Sequence, residues 1–186
     1  MTAVPSIACL GVIGKNVYTS STIKNPLHIS IFPSQPGNKP VRTPLQFSLI
    51  LSSTLDIFEA RSKANVSTGG GLSGDFGLLH AIDERLAAYG FETNTGVRFV
   101  AVVDMRGRIV GDEAARSQVT GLREGEMKLV FRAMQTAYVR LLQNPFYDPD
   151  EHSPPAGKGG KKITSRKFTE DMKRLGETWA PGLATL

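Results

Sequence analysis

Residues 76–103 read FGLLHAIDERLAAYGFETNTGVRFVAVV, three apolar runs separated by two polar links of three residues each. Phe76 to Ile82, Leu86 to Thr93 and Val97 to Val103 are each long enough for a strand. Links as short as Asp83-Glu84-Arg85 and Asn94-Thr95-Gly96 join antiparallel neighbours, so the stretch predicts a three-stranded meander. The last run is almost continuously apolar, the pattern of a central strand buried on both faces.

Upstream, Ser6 to Ile13 has the character of a buried strand. Pro26 to Phe32 alternates, with Leu27, Ile29 and Ile31 on one face and His28, Ser30 and Phe32 on the other, a half-buried strand pairing with the first. Prolines at 33, 36, 40 and 44 exclude a ladder or a helix and predict a loop. From Leu45 to about Lys63 the apolar residues Phe47, Ile50, Leu51, Leu55 and Phe58 recur at helical spacing. A Gly/Ser/Thr stretch then leads into the meander. Downstream, 106–121 is polar and reads as a loop. Met127, Val130, Phe131, Met134, Ala137, Tyr138 and Leu141 form the apolar stripe of a helix starting near Arg123 and ending before Pro145. A last helix, capped by Thr164 or Ser165, carries Phe168, Met172, Leu175 and Trp179. The fold class is α+β: a five-stranded antiparallel sheet with one helix on one face and two on the other. One domain over residues 1–186 is expected, with loop insertions at about 33–44, 65–74, 106–121 and 150–162.

The bulk numbers fit that size: 186 residues, 40% hydrophobic and a mean hydropathy of −0.13. No run reaches the roughly 18 apolar residues of a transmembrane helix. The apolar start lacks a preceding basic residue and reads as a strand, not a signal peptide. The single cysteine, Cys9, excludes an internal disulfide and points to the cytosol. Without a signal peptide the sequon at Asn65 has no meaning. The net charge of +5 raises the question of nucleic acid. Lys158, Lys161, Lys162, Arg166 and Lys167 fall in one stretch; setting them aside leaves 17 basic against 17 acidic residues. The basicity is therefore local. It fits a solvated loop, a contact with an acidic partner or, through Lys158, Lys161 and Lys162, a peripheral membrane contact, and not nucleic acid.

Catalytic and cofactor chemistry find no foothold. Gly69 to Gly74 matches G-x-G-x-x-G, but a helix precedes it and a strand follows, the reverse of what holds a pyrophosphate. Gly14-Lys15-Asn16 lacks the first glycine and the Ser/Thr of a P-loop. Ser73 is not in a nucleophile elbow. His28, His80 and His152 stand apart and form no ligand set, and Cys9 reads as a small buried hydrophobe. No catalytic, cofactor or metal residue is expected. Two features read as partner-interface candidates instead. Asp56 is a carboxylate amid Leu55, Ile57 and Phe58. Phe146 and Tyr147 are two aromatics at a proline-bracketed helix end.

Residues 144–150 (NPFYDPD) resemble the segment after the long helix in sedlin-like small TRAPP subunits, more narrowly the trafficking protein particle complex subunit 2-like branch. Residues 25–30 (NPLHIS), 53–56 (STLD), 89–94 (YGFETN), 97–104 (VRFVAVVD) and 164–168 (TSRKF) are similar to the family in the same order and spacing. The resemblance implies the longin (profilin-like) fold, no active site and no cofactor. It implies an adaptor subunit of a tethering complex that activates Rab-type GTPases in ER–Golgi or late-Golgi traffic. The implied partners are other TRAPP subunits, longin-like and larger, with a Rab reached indirectly. The implied location is cytoplasmic, peripheral on Golgi or ER–Golgi membranes. Asp56 is the one residue the resemblance carries over as an interface position. The alternative is a longin-type small subunit of another trafficking complex, such as a clathrin adaptor.

Overall fold

The computed structural model describes residues 2–14, 26–34, 39–67, 74–110, 122, 125–149 and 161–182. Its strands are β1 (Thr2–Ile13), β2 (His28–Ile31), β3 (Asp75–Ala81), β4 (Leu86–Glu92) and β5 (Arg98–Val110). Its helices are α1 (Pro44–Ser67), α2 (Glu126–Leu142) and α3 (Arg166–Thr178). The strands form one antiparallel sheet in the order β2-β1-β5-β4-β3, so the chain's first strand and the end of the meander are the central pair.

The side chains of β5 alternate between two cores. Phe99, Ala101 and Val103 pack in a cluster with α2 and α3, whereas Val100 and Val102 pack with Phe47, Leu51, Leu55 and Phe58 of α1. One helix covers one face and two cover the other. β1 follows the same alternation only because it carries a bulge. Ile7 pairs with Val103 and Cys9 with Val102, leaving Ala8 as the extra residue. Ala8 and Cys9 then both join the α1 side, and Leu10 and Val12 return to the other. α1 sits close on the sheet because two strand positions lack side chains. A Cβ on Gly11 would lie 2.6 Å from Leu51, and one on Gly90 would lie 2.5 Å from Phe58.

Several boundaries differ from the sequence expectation, among them the start of β1 at Thr2 and not Ser6. The region expected as a loop from Arg106 begins as strand. Arg108, Ile109 and Val110 continue the ladder opposite Val4, Ala3 and Thr2, and residues 111–120 lie outside the described residues. Arg106 and Arg108 hide this because backbone pairing, not burial, holds that end. α1 runs to Ser67, into the segment expected as linker from residue 65. It also begins at Pro44, within the expected loop 33–44. Pro44 is the first helical residue, where its missing N–H costs nothing, and Thr43 and Gln46 exchange backbone and side-chain hydrogen bonds as a capping box. Leu27 precedes β2 and is buried on the α2/α3 side with Phe32, not with Ile29 and Ile31. Ser165 caps α3 as expected, accepting from the Phe168 amide.

Candidate partner interface

α1 is apolar on both sides. Phe47, Leu51, Leu55 and Phe58 face the sheet, while Leu45 and Leu49 stand on the opposite side, 69% and 61% exposed. Ser53, Asp56 and Ala60 continue that outer stripe at helical spacing and are exposed. Ser52, Ser53 and Thr54 donate their hydroxyls to the helix's own carbonyls at Ser48, Ile50 and Leu51. This mutes the polarity of the face. Pro44 to Leu55 carries no charge, so Asp56 is the first ionic group met along the helix. Asp56 makes no hydrogen bond or ion pair among the described residues. A leucine pair ending at one oriented carboxylate can bury apolar area and fix a partner's register.

The second candidate divides. Asn144 organises the turn after α2, its side-chain oxygen accepting from the Phe146 amide and its carbonyl from the Tyr147 amide. That turn sends the two aromatics different ways. Phe146 is 95% exposed, whereas Tyr147 packs against the α2/α3 core, where burial and the neighbouring Tyr138 push its phenol well up from the usual value. Val139 and Leu142, partly exposed on the last turns of α2, precede Phe146 as a second apolar patch. Because α1 and α2 cover opposite faces, the structure does not bring Asp56 together with Phe146 and Tyr147; they lie on two separate surfaces.

The buried titratable groups are engaged in the fold. The Asp104 carboxylate is fully buried and accepts from Arg85, Ser34 and the Arg106 amide. Burial alone would raise its pKa, but these donors together hold it below the ordinary value. His28 lies edge-on to Phe168 and shares a hydrogen bond with Ser30; burial lowers its pKa. Cys9 is buried and its thiol is pushed far up by desolvation. Among the described residues no group of three or more His, Cys, Asp or Glu converges as metal ligands would. No helix among them is long and apolar enough to cross a membrane. Lys161 and Lys162 are exposed; Lys158 lies outside the described residues.

Residues 21–178 match the family described as Sedlin. The chain belongs to the sedlin family. It is 25% identical over 169 residues to the trafficking protein particle complex subunit 2-like protein of Dictyostelium discoideum, covering 91% of this chain and 95% of that one. The protein of the same name from Mus musculus is 29% identical over 164 residues, covering 86% and 89%. That from Xenopus tropicalis is 28% identical over 172 residues, covering 90% and 94%. These relatives are matched along nearly their whole length. The sedlin family is non-enzymatic, and its longin-like fold is the five-stranded α+β arrangement described above.

Asp56 was singled out in the sequence as an interface candidate; the exposure of Leu45 and Leu49 beside it was not. Their signal was present: both fall off the inner stripe of Phe47, Leu51, Leu55 and Phe58, where a soluble helix ordinarily places polar residues.

Proposed function

We propose that this sedlin-family chain is a non-catalytic adaptor subunit of a trafficking protein particle (TRAPP) complex, acting in ER–Golgi or late-Golgi traffic through the surfaces it offers other subunits. The observation that carries the reading is the outer face of α1, where Leu45 and Leu49 stand exposed in line with Asp56. A neighbouring longin-like subunit docks there, burying about 1,200–2,000 Å² in all, and the larger subunits are recruited to the assembly. Phe146 with Val139 and Leu142 offers a second contact on the opposite face. A Rab-type GTPase is served by the assembled complex. Lys161 and Lys162 rest against an anionic membrane when the complex is on the Golgi.

The test is co-purification of the tagged protein from its own cells with quantitative mass spectrometry. Near-stoichiometric recovery of other TRAPP subunits is expected; recovery of clathrin-adaptor large chains, or of the bait alone, overturns the reading. Asp56→Tyr and Leu49→Glu are each expected to lower that recovery while leaving the thermal unfolding midpoint in place. Normal recovery with both variants would remove α1 from the interface.

A further inference from the structure

α2 and α3 leave a groove between them of about 450 Å³, within the roughly 300–1,000 Å³ range of ligand sites. Its apolar lining comes from Leu129, Ala133 and Ala137 of α2 and Leu175 of α3, with Asp171 of α3 beside them. Arginines stand along it: Arg132 and Arg140 on one helix, Arg174 on the other. The two helices treat their charges differently. On α3 three of the four cations are answered from within, Arg166 by Glu170, Lys173 by Glu177 and Arg174 by Asp171 at 2.9 Å. α2 has no acid after Glu126. Arg132 and Arg140 are exposed and make no ion pair among the described residues, and the positions four residues either side of them carry no carboxylate. An uncompensated positive edge thus runs along the α2 side of an apolar floor, while on the α3 side Arg174 is neutralised by Asp171.

We propose that this groove is a docking site for an acidic amphipathic segment of a partner protein. An aliphatic side chain of that segment rests on Ala133 and Ala137, and its carboxylates meet Arg132 and Arg140. The spacing favours a peptide. The two arginines are two turns apart, about 12 Å along the axis. That separation suits acids seven or eight residues apart on a helix, or four apart on an extended chain. A membrane surface meets groups that project, and the apolar floor here is recessed between helices. The inference deepens the adaptor reading, on which it rests, by naming the chemistry of one partner contact on the face opposite α1.

The test places a photoreactive benzoylphenylalanine at Thr178, on the groove's rim, in the full-length tagged protein in its own cells. A second sample carries it at Thr169, on the opposite side of the same helix. The cross-linked segment is identified by mass spectrometry. The expected result is an adduct, specific to Thr178, with a segment carrying two or more carboxylates around an aliphatic residue. Its yield should fall about tenfold or more in the Arg132→Glu, Arg140→Glu double variant, whose unfolding midpoint stays in place because both side chains are exposed. An adduct with lipid, an adduct with a segment lacking carboxylates, a yield indifferent to the double variant, or no adduct above the Thr169 control overturns the proposal. The two readings fail separately. Recovery of TRAPP subunits without the adduct sinks the groove alone, and an acidic adduct without TRAPP subunits sinks the complex alone.

Discussion

The Asp104 carboxylate is held by four donors, two from Arg85 at 2.7 Å each, the Ser34 hydroxyl at 2.7 Å and the Arg106 amide at 3.1 Å. It has no exposed surface, so losing it leaves donors facing a dry space. Asp104→Ala is expected to destabilise the fold by about 2–3 kcal/mol, less than a wholly buried pair would because Arg85 remains partly in water. Chemical denaturation of the two proteins side by side measures this. The same carboxyl titrates below its ordinary value of 3.8 when folded. Its stabilisation is therefore complete above that value and is lost as pH falls through the lowered folded value. The wild type should lose stability across this acid range, and the Asp104→Ala variant should show a smaller loss; equal slopes would mean that Asp104 does not carry the effect. At this scale the candidate site was half legible. Asp56 announced itself as a charge among apolar neighbours. Phe146 and Tyr147 read alike in sequence, because what separates them is a turn built by Asn144, and a one-dimensional pattern does not say which aromatic a turn sends inward.

α1 owes its start to three residues. Thr43 and Gln46 satisfy amides that the helix itself cannot, and Pro44 supplies a first residue that needs no partner. Thr43→Ala should cost about 1 kcal/mol, read as a lowered denaturation midpoint with unchanged slope. Packing sets the second constraint on this helix. A methyl at Gly90 would lie 2.4 Å from Leu79 and 2.5 Å from Phe58, so Gly90→Ala forces α1 off the sheet or rotates those side chains. A loss of about 1–3 kcal/mol is expected; a neutral variant would mean that this seat of α1 has slack. The elements were legible wherever burial wrote a period into the sequence, as in the α2 stripe from Met127 to Leu141, buried at every position expected. They were illegible where backbone pairing alone sustains them. Arg108 to Val110 are strand because Thr2 to Val4 lie opposite, a fact about residues a hundred positions away. The capping box was missed because the prolines beside it read as loop.

For the molecule as a whole, the sheet separates what α1 can touch from what α2 and α3 can touch. The two cores share no residue, and β5 feeds both by strict alternation. This architecture was legible before any packing was known, since five strand patterns and three helix patterns in this order have few ways to cover two faces. Which surfaces stay uncovered was not, because exposure of Leu49 or Phe146 depends on what does not pack there. The separation has a consequence for assembly. Leu49 and Phe146 lie on opposite faces with the sheet between them, so substitutions at the two share no neighbour and should act independently. Leu49→Glu is expected to deplete one set of co-purifying subunits and Phe146→Ser another, each leaving the other set near wild-type recovery. The double variant should lose both sets and nothing more. That pattern describes a chain that bridges two neighbours. If either single variant removes every subunit, assembly passes through one face first and the two surfaces act in sequence. If Phe146→Ser removes none, the exposed ring is not a contact, and the patch at the end of α2 drops out of the interface while α1 keeps its role.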